Sequence, residues 1–398
     1  MTTAIICAAI LVAYCAAFLV GHVVRRVLAS DGDTPPYRAN AIDGLRGILA
    51  LSVMVHHFAL SNIVLNGGQW IAPPEHYLNN LGRTPVTLFF MITGFLFYPT
   101  IESGVDATNW YAFYTKRFFR IVPLMWLALF FVMAAAFTFS PARTVSVASA
   151  IGVARWATFT GMPNLFGFPD TKLLIAGVAW SLTWEWIYYI SIFPAAALAS
   201  KIRIKPFVLI YAAFGLGVLG AEEIYPNLLP HIASSVVLFS TLFSLGMSAR
   251  ILLSVPLVQR LAANAYLGVA TALLLLVIIF TVSNPFSVFQ CLCSAVLFMF
   301  VAANNKAFRF LSSRDAIALG EASYSIYLLH GLVLYLYFHT LAGAFSGSRW
   351  IWASLPIVAG LVTAISMTVH KVFEVPFMHL GKRLATKRPD IVVGASQA

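Results

Sequence analysis

Apolar runs long enough to cross a bilayer, about 20 residues each, recur along the whole chain and constrain its fold more than any other feature. They lie near residues 3–22, 43–65, 85–101, 122–140, 174–199, 206–222, 232–249, 265–283, 286–303, 323–341 and 351–370, which makes eleven. Backbone amides in lipid must be satisfied within their own segment, so runs of this length fold as helices. The chain is 60% hydrophobic and 10% charged, against about 25% charged in a soluble protein. The expectation is an all-α, polytopic transmembrane helical bundle. Residues 145–166 have room for a short re-entrant helix.

Charge sets the orientation. Lysine and arginine gather in alternate loops: Arg25, Arg26 and Arg38; Lys116, Arg117 and Arg120; Lys201, Arg203 and Lys205; Arg250 and Arg260; Lys306, Arg309 and Arg314; Lys371, Lys382, Arg383, Lys387 and Arg388, with Arg46 at a helix mouth on the same side. Only Arg83, Arg143, Arg155, Lys172 and Arg349 of the 25 fall on the other side. The positive-inside rule then puts the N-terminus outside and the C-terminus in the cytoplasm. Because the net charge of +11 is spread over these loops, it reports topology and excludes a nucleic-acid partner. The first run lacks a positive leader region and a small-residue cleavage site, so it reads as a retained span. Cys7, Cys15, Cys291 and Cys293 sit inside apolar runs with no metal-ligand or disulfide pattern. No internal repeat is visible, which argues against repeat-built transporters.

The second run, "GLRGILALSVMVHHF", carries Arg46, His56 and His57. Ionisable groups within a span are costly and mark function by default. Eleven residues on a helix return to within about 20° of the same face after roughly 16 Å, whereas His56 is turned about 80° away. Asp43 stands three residues before Arg46 and within pairing reach. The plainer alternative is a snorkelling arginine and a histidine bonded between helices.

The stretch "AIDGLRGILALSVMVHHF" resembles the signature of membrane acyltransferase family three, whose Arg, ten residues, then His fall here on Arg46 and His57. The likeness continues in order. "LFFMITGFLF" is similar to the family's Phe-Phe-x-x-Ser-Gly-Phe stretch, with Thr93 at the serine position. "YTKRFFRIVPLMW" resembles its Arg-x-x-Arg-Ile-x-Pro element at Arg117, Arg120 and Pro123. "WSLTWEWIYY" resembles its Trp-Ser-Leu-x-x-Glu-x-x-x-Tyr element with Ser181, Glu185 and Tyr189, and "SYSIYLLH" and "FEVP" resemble closing signatures at His330 and Glu374. The resemblance covers residues 38–380. It implies a ten-helix acyltransferase domain, an extra N-terminal span over residues 1–24 and a basic cytoplasmic tail over 381–398. No segment matches the soluble hydrolase-like domain that some members carry.

The resemblance implies O-acyl transfer, most simply O-acetylation, from cytoplasmic acyl-CoA to a hydroxyl of a cell-envelope glycan or lipid-linked saccharide, in a bacterial inner membrane. Such transfer needs a base near the acceptor oxygen, and an imidazole suits it. His57 is the candidate base, or a covalent acyl carrier, with Glu185 as the second catalytic candidate, orienting or tuning it. Arg117 and Arg120 share a helix face, and arginine forks suit the phosphates of the donor. With Arg46 they are the expected acetyl-CoA-binding set, and Asp43, Ser181 and Tyr189 join the substrate site. No metal is expected. Plainer alternatives are an interfacial aromatic belt for "WSLTWEWIYY" and a topology or lipid-headgroup signal for the arginines. A proton-coupled transporter would also explain buried Arg, His and Glu, and a small molecule or lipid is the competing acceptor. His22, His231, His339 and His379 are expected at interfaces, His76 in an external loop and His56 in packing. Tyr324, Tyr327 and His330 form either a cavity lining or a polar seam.

Overall fold

The computed structural model describes residues 3–28, 41–345 and 348–386. The basic residues Arg38, Lys387 and Arg388 and most of the expected tail lie outside them. The described residues form helices and no β-strand, apart from one isolated bridge between Leu165 and Phe168. The helices are α1 (Thr3–Val27), α2 (Ala41–Leu65), α3 (His76–Glu102), α4 (Trp110–Phe139), α5 (Val147–Ala157), α6 (Trp180–Ala199), α7 (Ile204–Ile224), α8 (His231–Leu252), α9 (Pro256–Ala263), α10 (Ala265–Thr281), α11 (Val288–Ala302), α12 (Arg314–Glu321), α13 (Ser323–Thr340), α14 (Leu355–Val369) and α15 (Val375–Thr386).

Seven units are long and apolar enough to cross a membrane: α1 to α4, α7, α8 and the 37-residue stretch Trp350–Thr386. Three bent pairs bring the number to ten. The chain turns by 73° between α9 and α10 and between α11 and the 3-10 turn Lys306–Ser312, and by 65° between α12 and α13. The chain is thus an integral membrane helical bundle. The difference from the eleven expected spans is α6, which is 20 residues long but carries Ser181, Thr183 and Glu185 in its first two turns. The short helix expected between 145 and 166 is α5, 11 residues capped by the Ser146 side chain.

The centre of the bundle is α2, packed against α3, α12 and α13. Its first turn meets α12 and the 3-10 turn before it backbone to backbone: a Cβ on Gly44 would strike the Leu311 carbonyl, and one on Gly320 of α12 would strike the Asp43 carbonyl. Small residues allow such close crossings in lipid, where packing and polar contacts drive association. The consequence is local, because the crossing holds the mouth of α2, and Arg46 with it, against the α12–α13 break. Farther along, α2 is bonded to α3 through His56, whose Nδ1 lies 2.8 Å from the Leu78 carbonyl. A buried amide on α3 ties it to α10 and α11. The Asn80 side chain donates to the Ile279 and Val282 carbonyls at 2.9 Å, and Gln290 donates to Asn80 Oδ1 at 3.1 Å.

The first helix is integrated with the rest. It packs along α14, the Tyr14 and Ser52 hydroxyls share a 2.6 Å bond, and His22 and Arg25 both bind the Asp315 carboxylate, at 3.0 and 2.8 Å.

Candidate active site

Two chambers lie in line along the inner face of α2. The first surrounds the mouth of the helix and holds about 1050 Å³ of empty space, part of it open to the outside. Five elements converge there: Asp43 and Arg46 from α2, Val86, Thr93 and several phenylalanines from α3, Arg117 and Arg120 from α4, Ser181, Glu185 and Tyr189 from α6, and Tyr324 and Tyr327 from α13. Each set follows from helical spacing. Arg117 and Arg120 stand one turn apart, as do Ser181, Glu185 and Tyr189, so each group presents one face. The bend between α12 and α13 starts the latter at Ser323, which also lines this chamber.

The electrostatics of this chamber are lopsided. Three guanidinium groups face two carboxylates, and none of the five groups forms a direct salt bridge with a described residue. Asp43 is within electrostatic reach of Arg46 but does not bond to it as the sequence suggested. Glu185 instead accepts a hydrogen bond from the Tyr189 hydroxyl one turn on. Arg117 lies over the Phe97 ring at 5.0 Å, and its Nε is buried without a hydrogen-bond partner. Desolvated cations with spare donors are a ready anion site.

The second chamber holds about 1160 Å³ of empty space and is lined by His56, His57, Trp70, Arg83 and Lys172. The His57 ring stacks on Trp70, with centroids 6.0 Å apart, and its Nδ1 lies 2.9 Å from His330 Nε2. His330 is fully buried, and its own Nδ1 lies 3.0 Å from the Ile326 carbonyl. The protons follow from this chain. A carbonyl only accepts, so Nδ1 of His330 carries its proton and Nε2 of the neutral ring accepts. His57 Nδ1 must then donate to it. The free atom is His57 Nε2, which in the neutral ring is the unprotonated nitrogen and faces the chamber.

The structure therefore brings Asp43, Arg46, Arg117, Arg120, Ser181, Glu185 and Tyr189 together and sets His57 apart, in the adjoining chamber. The expectation that Glu185 orients His57 is not met: among the described residues the ring's side-chain hydrogen-bond partner is His330. Helical phase placed Arg46 and His57 on one stripe and gave no information on what packs against each end. His56 is turned away and bonded to α3, with its ring against Gly82. Trp70, Arg83 and Lys172 were missed as site residues. The signal for the last two was present, since both are among the few basic residues opposing the positive-inside pattern. Among the described residues no group of three or more His, Cys, Asp or Glu could hold a metal ion.

A family model described as an acyltransferase domain, acyltransferase family three, matches residues 39–370, the stretch that contains both chambers. No curated protein and no solved structure matches the chain.

Proposed function

The chain belongs to acyltransferase family three and is an integral-membrane acyltransferase, and from that premise we propose that it moves an acyl group, most simply acetyl, from cytoplasmic acyl-CoA to a hydroxyl of a cell-envelope glycan or lipid-linked saccharide. The observation that carries this reading is the in-line pair of chambers, with arginines in one, His57 in the next, and Tyr327 lining both.

Arg46, Arg117 and Arg120 suit the donor's phosphate groups, and the basic residues near Lys116 and Arg309 support a cytoplasmic side for their chamber. The thioester then points along α2 toward His57. His57 Nε2 takes the proton from the acceptor hydroxyl as its oxygen attacks the thioester carbon. The carbon–sulfur bond breaks, CoA leaves as thiolate, and the proton passes from the imidazolium to the thiolate. His330 holds the ring in the tautomer that leaves Nε2 free. Glu185, bonded to Tyr189, belongs with the donor arginines.

Arg83 and Lys172 give the His57 chamber a positive lining with no carboxylate among the described residues that line it, which suits an acceptor bearing phosphate or carboxylate. An apolar cleft shares Trp70, Leu173 and Ala176 with that chamber. It favours an acceptor carried on a lipid over a freely soluble one. The test is purified protein supplied with isotope-labelled acetyl-CoA and candidate lipid-linked saccharides. Label transferred to the saccharide, lost in His57→Ala, supports the reading; transport without chemistry would replace it with a transporter.

A further inference from the structure

Val86 on α3 and Tyr327 on α13 are the only described residues lining both chambers. Each is buried, at 6% and 8% exposure, so each fills space between the two chambers. Tyr327 is held from several sides. The Ser181 hydroxyl donates to the Val178 carbonyl at 3.0 Å, leaving its oxygen to accept from the Tyr327 hydroxyl at 2.9 Å. The same hydroxyl stands 3.4 Å from the Val178 carbonyl. The ring packs edge-on to Phe89 and His330, with centroids 6.0 and 6.2 Å away. A side chain fixed at its hydroxyl and on its ring cannot yield without breaking several contacts, and packed interiors resist even one added methylene.

We propose that Tyr327 and Val86 form the constriction that sets which acyl groups this enzyme accepts, admitting the narrow acetyl group and rejecting branched or ring-bearing ones. The claim rests on the donor reading above and deepens it. A thioester approaching His57 from the arginine chamber leads with its acyl end, and that end meets this wall first. Cross-section is therefore the discriminating property: an acetyl methyl is no wider than a chain, whereas an isopropyl or phenyl group must displace the Tyr327 ring or the Val86 methyls. Ser181, assigned to the substrate site on its position in the sequence, acts here as the brace for Tyr327.

The test is a donor competition with purified full-length enzyme in lipid nanodiscs, using acetyl-CoA, isobutyryl-CoA and benzoyl-CoA and reading the mass transferred to acceptor. Wild type is expected to favour acetyl strongly. Tyr327→Ala and, independently, Val86→Ala should raise the isobutyryl-to-acetyl ratio by about tenfold or more, the order by which one or two methyl groups are discriminated in a pocket. Tyr327→Phe keeps the ring and should keep the preference. The ratio is insensitive to how much enzyme survives folding, and Val86→Ala guards against loss of the tyrosine variant. An unchanged ratio in both variants overturns the proposal, as does a wild type that uses benzoyl-CoA as readily as acetyl-CoA. Absence of transfer from every CoA thioester by folded wild type would instead remove the donor reading, and the constriction with it.

Discussion

His57 Nδ1 and His330 Nε2 lie 2.9 Å apart, joining α2 to α13 across the chamber in which the proposed acyl transfer takes place. With both rings neutral, His57 Nδ1 donates to His330 Nε2 and His330 Nδ1 donates to the Ile326 carbonyl. The pair makes His330 a positioning residue whose effect is separable from packing. His330→Ala should lower kcat by about ten- to a hundredfold, by analogy with the loss of partners that orient metal-bound imidazoles, with the KM for acyl-CoA little changed. His330→Gln, whose side-chain carbonyl can accept from His57 Nδ1, should recover part of the loss. Equal loss in Ala and Gln variants, or a change confined to KM, would assign His330 to packing alone. Steady-state kinetics with acetyl-CoA as the varied substrate decide it.

The adjacent histidine has the opposite profile. His56 is buried, bonds the Leu78 carbonyl at 2.8 Å and packs on Gly82. His56→Ala should cost about 1–3 kcal/mol of stability, the scale for leaving a buried polar partner unsatisfied, while transfer by the folded fraction persists. Thermal scanning of detergent-solubilised protein beside the activity assay measures both. A stable but inactive variant would move the chemistry onto His56.

Donor affinity should depend on the arginine pair of α4. Replacing Arg117 and Arg120 together by alanine removes two guanidinium groups from the first chamber, and each lost charged contact is worth about 1.5–3 kcal/mol. Binding of acyl-CoA should weaken at least tenfold while expression holds. Unchanged binding in the folded double variant would reduce the pair to a topology signal.

Much of this arrangement was legible in the sequence, because its strongest signals are local. Run length and hydropathy gave the helices. The i, i+3 and i, i+4 spacings placed Arg117 with Arg120 and Ser181 with Glu185 and Tyr189, and these groups do share one chamber. Where periodicity stopped helping was between helices. Nothing in the spacing of α2 says that His330, 273 residues away, meets His57, or that Glu185 faces the arginines instead. The expected spans at 265–283 and 323–341 start at the bends near Asn264 and Ala322, but the apolar pattern says nothing of the short helices α9 and α12 that lead into them at an angle. Span counting by composition also stumbles at α6, where a catalytic-looking motif dilutes the hydropathy that identifies a span.

Orientation is open to direct chemistry. With the four native cysteines replaced by serine, a cysteine introduced at Gln69 should react with a membrane-impermeant maleimide in intact cells. One introduced at Lys116 should react only after permeabilisation, which would put the arginine chamber on the cytoplasmic side. Free labelling at Lys116 in intact cells would invert the proposed direction of transfer.

The central claim is that His57 Nε2 serves as the base, and His57→Gln tests it most directly. A glutamine amide can donate to His330 Nε2 as the imidazole does, so the fold and the link to α13 are kept, but it cannot accept and release a proton near pH 7. The measurement is transfer from labelled acetyl-CoA to acceptor by folded, donor-binding enzyme, or donor hydrolysis where the acceptor is lacking. The expected result is a loss of about 10²–10⁴-fold, the contribution typical of general acid–base catalysis, equal to that of His57→Ala. Activity retained in His57→Gln would contradict the account, making His57 a hydrogen-bonding contact between helices and leaving the base to be found among the other groups of the two chambers.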